Sequence, residues 1–94
     1  MPPKSYRVEL TRSAHKEILR LQPKIRGQVE ASIDRLVATL ESGHRPQDMI
    51  ALRGQPDAYR LDSGEYRILF YLNDAEAFVK IVRVRHRKDA YRGI

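Results

Sequence analysis

Apolar and polar residues alternate along SYRVEL, residues 5–10, with Tyr6, Val8 and Leu10 on one face and Arg7 and Glu9 on the other. A period of two predicts a half-buried β-strand. Thr11 is placed to cap a helix in which Ala14, Ile18 and Leu21 recur at helical spacing. Pro23 ends that helix or opens the next, because proline suits a first turn. Ile25, Val29, Ile33, Leu36, Val37 and Leu40 then form one apolar stripe, with Arg26, Glu30, Asp34 and Arg35 off it. Gly43 and Pro46 stop this second helix. The short link between the two predicts an antiparallel helical hairpin. Residues 43–57 read as a loop, with turn chemistry at Gly54 and Pro56.

Three strands are expected after the loop. Tyr59 and Leu61 oppose Arg60 and Asp62 in the first. Ser63-Gly64 makes the tight connection of a hairpin. Tyr66, Ile68, Phe70 and Leu72 form the apolar face of the next strand, and Glu65, Arg67, Leu69 and Tyr71 form its other face. Asn73 and Asp74 turn the chain again. The last strand is read with Val79, Ile81, Arg83 and Arg85 on one side and Val82 and Val84 on the other. A short helix or turn over Lys88–Arg92 closes the chain. The order β-α-α-β-β-β-(α) predicts one α+β domain over residues 1–94. The helical hairpin should cover one face of a mainly antiparallel four-stranded sheet. Arg60 and Arg67 then fall on the uncovered face, where they are near neighbours across a tight turn.

Composition sharpens this picture at one end. Of the 94 residues, 41% are hydrophobic and 32% charged, in the ordinary range for a soluble globular protein. No apolar run reaches membrane-span length, and the N-terminus lacks a signal-peptide core, so a cytosolic protein with no membrane partner is expected. Cysteine is absent, which excludes disulfides and thiolate metal sites. His15, His44 and His86 are too scattered for a recognisable metal pair, and no cofactor is expected. The net charge is +6. Lys80, Arg83, Arg85, Arg87, Lys88 and Arg92 stand against Asp89 alone in residues 80–94, so nearly all the excess lies there. Concentrated positive charge favours a polyanion.

Arginine on the wet face of a sheet often does no more than protect it from aggregation. The combination here points further. Guanidinium groups grip phosphate oxygens in a bidentate fork. A ring such as Tyr91 or Tyr71 beside them offers a surface for a base. His86 adds an imidazole that can take up or give a proton. RNA carries its own nucleophile, because a 2′-hydroxyl can attack the adjacent phosphate without metal. Such a site must remove a proton, stabilise an oxyanionic phosphorane and protonate the leaving 5′-oxygen.

LRGQPDAYRLDSGEYRILFYL followed by VRVRHRKDAYR resembles the RelE/ParE toxin superfamily of bacterial toxin–antitoxin modules, in its RelE-type branch. Leu52, Gly54, Tyr59-Arg60, Gly64, Tyr66-Arg67, His86-Arg87, Asp89 and Tyr91 carry the likeness, together with an opening strand containing Tyr6 and Val8. The resemblance covers nearly the whole chain. It implies a microbial-ribonuclease-like toxin that enters the ribosomal A site and cuts translated mRNA. It also implies an antitoxin that wraps the toxin, with the pair contacting operator DNA only as a complex. By the same resemblance, Arg67 and Arg85 contact the scissile phosphate, His86 transfers a proton and Tyr91 orients or stacks on the substrate. Arg60, Arg83, Arg87 and Lys88 then hold the RNA. Asp62 departs from the family, where a cation often stands, and pairing with Arg60 or Arg67 is its simplest role. A ParE-like inhibitor of DNA gyrase on the same scaffold is the alternative. The antitoxin is expected to be acidic and partly disordered when free, since such a chain both neutralises and covers a basic face.

Overall fold

The computed structural model describes residues 5–90. Its elements are β1 (Arg7–Leu10), α1 (Arg12–Leu19), α2 (Pro23–Glu41), β2 (Ile50–Ala51), β3 (Ala58–Ser63), β4 (Tyr66–Asn73) and β5 (Phe78–His86). The strands form one five-stranded sheet in the order β1-β5-β4-β3-β2. β1 runs parallel to β5, and the other three pairings are antiparallel. The α+β architecture and its helix-covered sheet are as expected, with one strand more.

Local chemistry explains the helices. Thr11 accepts the Ala14 amide at its Oγ1, 3.1 Å away, and so caps α1. The same hydroxyl donates to the Val82 carbonyl at 3.0 Å, tying the cap to β5. Pro23 opens α2. Gly43, at φ 84°, takes the left-handed conformation just past its end. Ala14, Ile18, Val29, Ile33, Leu36 and Leu40 from the helices pack against Leu61, Ile68, Phe70, Leu72, Val79, Ile81 and Val84 of the sheet. One face of the sheet is thereby buried. The connection between β3 and β4 is two residues, Gly64 and Glu65, with Gly64 at φ 59°.

Four expectations are corrected. β1 is exposed throughout instead of half-buried, because it is the outer edge of the sheet; Val8 and Leu10 remain 38% and 41% accessible. Ile50 and Ala51, read as loop, pair with Arg60 and Tyr59. Two residues are too few to show alternation, so this strand exists only through its partner. Past β5, Arg87–Ala90 form a turn and no helix, and the remainder of the expected closing element lies outside the described residues. The fourth correction concerns β5. Phe70 pairs with Ile81 but Leu69 pairs with Arg83, which leaves Val82 as an extra residue in a β-bulge. The side-chain parity of β5 reverses there. Val79, Ile81 and Val84 therefore all face the helices, and Arg83 and Arg85 do not share their side.

At the far end of the sheet, polar groups clip together distant parts of the chain. The Tyr6 hydroxyl donates to Asp74 at 2.8 Å, and Arg45 donates to the other Asp74 oxygen at 2.6 Å. Arg45 also donates to the Tyr59 hydroxyl at 3.2 Å and lies over its ring. Among the described residues no helix is long and apolar enough to cross a membrane.

Candidate nucleic-acid interface

On the sheet face away from the helices, cross-strand register builds two rows of side chains. Asp62 lies opposite Arg67, and Arg67 opposite Arg85. Arg60 lies opposite Leu69, and Leu69 opposite Arg83. Directly opposed residues project to the same side, so Arg60, Arg67, Arg83 and Arg85 share one face over three adjacent strands. The bulge makes this possible, since without it the arginines of β5 would follow Val79 and Ile81 into the core. Their side chains are only 21% to 25% accessible. They lie along the sheet, held in place before any ligand arrives.

Two carboxylates hold them. Asp62 is 3.2 Å from Arg60 and 3.4 Å from Arg67 Nε. Glu17, on α1, places Oε2 2.6 Å from Arg85 Nε and 3.6 Å from Arg83. Its Oε1 accepts the Val84 amide at 2.9 Å. β1 pairs with β5 only as far as Ile81. Beyond that point Glu17 satisfies a backbone donor that a neighbouring strand would otherwise take. The four guanidiniums and two carboxylates leave an excess of two positive charges on this patch. Phosphate oxygens offer the same bidentate acceptors as these carboxylates and can replace them.

His86 lies opposite Tyr66, on the other parity from Arg85. Its ring meets Tyr66 edge-on, centroids 5.5 Å apart. Its Nδ1 accepts the Lys88 amide at 3.2 Å, and Nε2 is 4.0 Å from Glu65. With Nδ1 an acceptor, the neutral ring carries its proton on Nε2, a tautomer assigned from this hydrogen bond. Arg85 and His86 meet in an open cleft of about 470 Å³, with Glu17, Arg20, Tyr66 and Asp89. Arg60, Arg67 and Arg83 do not line it; they stand on the open face, whereas His86 has the opposite parity.

Arg87 and Lys88 are exposed in the turn after β5. Arg87 is tied to the β3–β4 turn by its amide, which donates to the Glu65 carbonyl at 2.8 Å, and by Nε, 3.0 Å from the Glu65 carboxylate. Tyr91 lies outside the described residues. Sequence reasoning missed Glu17 and Glu65, the acids that orient the β5 arginines and the His86 turn. No local pattern marks them, because their roles depend on which strand each element meets.

Residues 8–91 match the family model described as ParE toxin of type II toxin-antitoxin system, parDE. No match to a curated protein was found. Among solved structures, the chain is similar to a RelE–RelB complex of Pyrococcus horikoshii, with a TM-score of 0.74 and 25% identity over 93% of this chain and 100% of that one. A RelBE toxin–antitoxin complex of Mycobacterium tuberculosis aligns with a TM-score of 0.72 and 27% identity over 89% and 100% of the two chains. The isolated Escherichia coli RelE toxin aligns at 0.67 and 30% identity, over 86% of this chain and 83% of that one. The matched span runs from β1 through the arginine-bearing strands to the segment after β5, and the chain belongs to the ParE toxin family of type II toxin–antitoxin systems, within the RelE/ParE toxin superfamily.

Proposed function

We propose that this toxin is a metal-independent endoribonuclease that cleaves translated mRNA in the ribosomal A site. The observation that carries the reading is the single sheet face shared by Arg60, Arg67, Arg83 and Arg85, of which Arg85 also lines the cleft that holds His86. The likeness to RelE structures supports it. In the reaction, the substrate's 2′-oxygen attacks the adjacent phosphorus and the bond to the 5′-oxygen breaks, leaving a 2′,3′-cyclic phosphate. Arg67 and Arg85 hold the phosphate and offset the charge that builds on its oxygens. His86 accepts or delivers a proton. Tyr91 stacks on a base, and Arg60, Arg83, Arg87 and Lys88 hold the strand. The patch contains no carboxylate free of an arginine partner to act as a strong base, so much of the rate must come from ordering the mRNA. The ribosome supplies that order, and orientation alone is worth many powers of ten.

A cognate antitoxin completes the reading. The RelE relatives were solved with RelB partners, and an acidic chain folding over the patch would displace RNA and neutralise its charge. Operator DNA is reached only through that complex. The family match itself favours a second reading, a non-enzymatic inhibitor of DNA gyrase. Cleavage mapping by primer extension on translating ribosomes separates the two. Breaks within A-site codons support the nuclease, and gyrase-linked DNA breaks with intact mRNA overturn it. Arg67→Ala and Arg85→Ala should each unfold cooperatively and relieve growth arrest. If both stay folded and fully toxic, the arginine assignment is wrong.

A further inference from the structure

We propose that the open sheet face carries a receptor for a single RNA base, set apart from the His86 cleft. The proposal rests on the nuclease reading and adds a substrate subsite to it. A pocket of about 170 Å³ opens between the β4–β5 bulge and the segment that follows β2. Leu52, Ala58, Leu69 and Val82 line it, and Gln55, Tyr71 and Arg83 also border it.

Each feature has a cause in the sequence. Ala58, opposite Tyr71, leaves space that a larger side chain would fill. Val82 is the unpaired bulge residue, and the Thr11 hydroxyl fixes its carbonyl. Leu69 is 1% accessible although it stands on the arginine-bearing face. Its neighbours in the row are Arg60 on one side and Arg83 on the other. An apolar hollow bordered by the guanidinium of Arg83, with Arg60 across Leu69 from it, matches a nucleotide, a flat ring joined to an anion.

Size narrows the occupant. Small-molecule sites usually exceed roughly 300 Å³, whereas a dry cavity of roughly 150 Å³ takes one benzene. This pocket therefore admits one ring system. Tyr71, 41% accessible and bordering the pocket, supplies an aromatic ring on which a base can stack. The exposed Gln55 amide offers both donors and an acceptor to a base edge. An apolar peptide side chain would also fit the hollow, but it would gain nothing from the bordering Arg83 guanidinium.

The test compares two fluorescently labelled single-stranded RNAs of equal length and charge, one intact and one with abasic sites in turn at each position. Anisotropy titrations use the purified toxin, Tyr71→Ala, Gln55→Ala and the pocket-filling Ala58→Leu, each checked by thermal unfolding. The toxin should bind intact RNA about 5- to 100-fold more tightly than RNA with the critical base removed. Tyr71→Ala should abolish most of that ratio while leaving the salt dependence of binding unchanged, since no phosphate contact is lost. An unchanged ratio in Tyr71→Ala and in folded Ala58→Leu overturns the proposal. So does loss of a co-purifying partner protein with the base ratio intact, because the pocket would then receive a peptide. If the toxin cleaves mRNA on ribosomes yet shows no abasic penalty, the subsite falls and the nuclease reading stands. If it binds neither RNA and leaves translated mRNA whole, both fall.

Discussion

At Glu17 one carboxylate accepts the Val84 amide and holds both Arg83 and Arg85. Only 17% of its side chain is accessible, so water cannot easily replace it. Glu17→Ala leaves the Val84 amide without its acceptor and should cost about 1–3 kcal/mol in denaturant unfolding. Glu17→Gln keeps an oxygen for that amide and should cost less. Equal losses would mean that the ion pairs, not the amide bond, carry the effect. At this scale the sequence was partly legible. Alternation alone placed Arg60 and Arg67 on the open face, and Asp62 was expected to pair with them. Glu17 was not found because it sits at an ordinary polar position of α1. Its role comes from α1 lying along β5 where β1 has ended.

Among the elements, the β4–β5 turn carries a visible conformational cost. Ala77 sits at φ 53°, a left-handed conformation that disfavours a Cβ. Ala77→Gly should stabilise the fold by about 0.5–1 kcal/mol, a rise of several degrees in melting temperature for a domain of this size. An unchanged or lower melting temperature would show that Ala77 gains more from packing than it loses in strain. Both helices and the three long strands were readable, because each repeats its period over enough residues. β2 was too short to show a period. The bulge at Val82 was hidden because VKIVRVRH reads as a continuous strand in either register. What fixes it is tertiary: Val79, Ile81 and Val84 cannot all be buried by an unbroken strand of period two. The burial of Leu69 was missed for a related reason. Leu69 stands away from the helices and shares a pocket with Leu52 and Gln55 of the segment after β2.

Over the whole molecule, the Tyr6–Asp74–Arg45–Tyr59 cluster joins the residue before β1, the segment after α2, β3 and the β4–β5 turn. Partial burial, and then the hydrogen bond to Asp74 and its negative charge, raise the Tyr6 phenol above its ordinary 10.0, with Arg45 acting weakly the other way. The folded state thus keeps this proton to higher pH than the unfolded chain. The stability that Tyr6 contributes is fully present below about pH 10, the unfolded value, and is lost as pH rises through its folded value. In Tyr6→Phe, urea unfolding should start from a lower stability and lose less of it in strong alkali. An identical alkaline slope in both proteins would remove Tyr6 as its source. The α+β class was legible from element order, but the sheet order was not. Nothing local in SYRVEL says that it pairs in parallel with the last described strand. That pairing bears on how the protein is made. β5 is a central strand, between β1 and β4, yet it leaves the ribosome after every other strand described. Until it emerges, β1 has no partner, three of the seven buried sheet residues of the core are missing and the arginine rows are incomplete. On the proposed nuclease reading, a nascent chain cannot grip RNA in this way until β5 has emerged and paired.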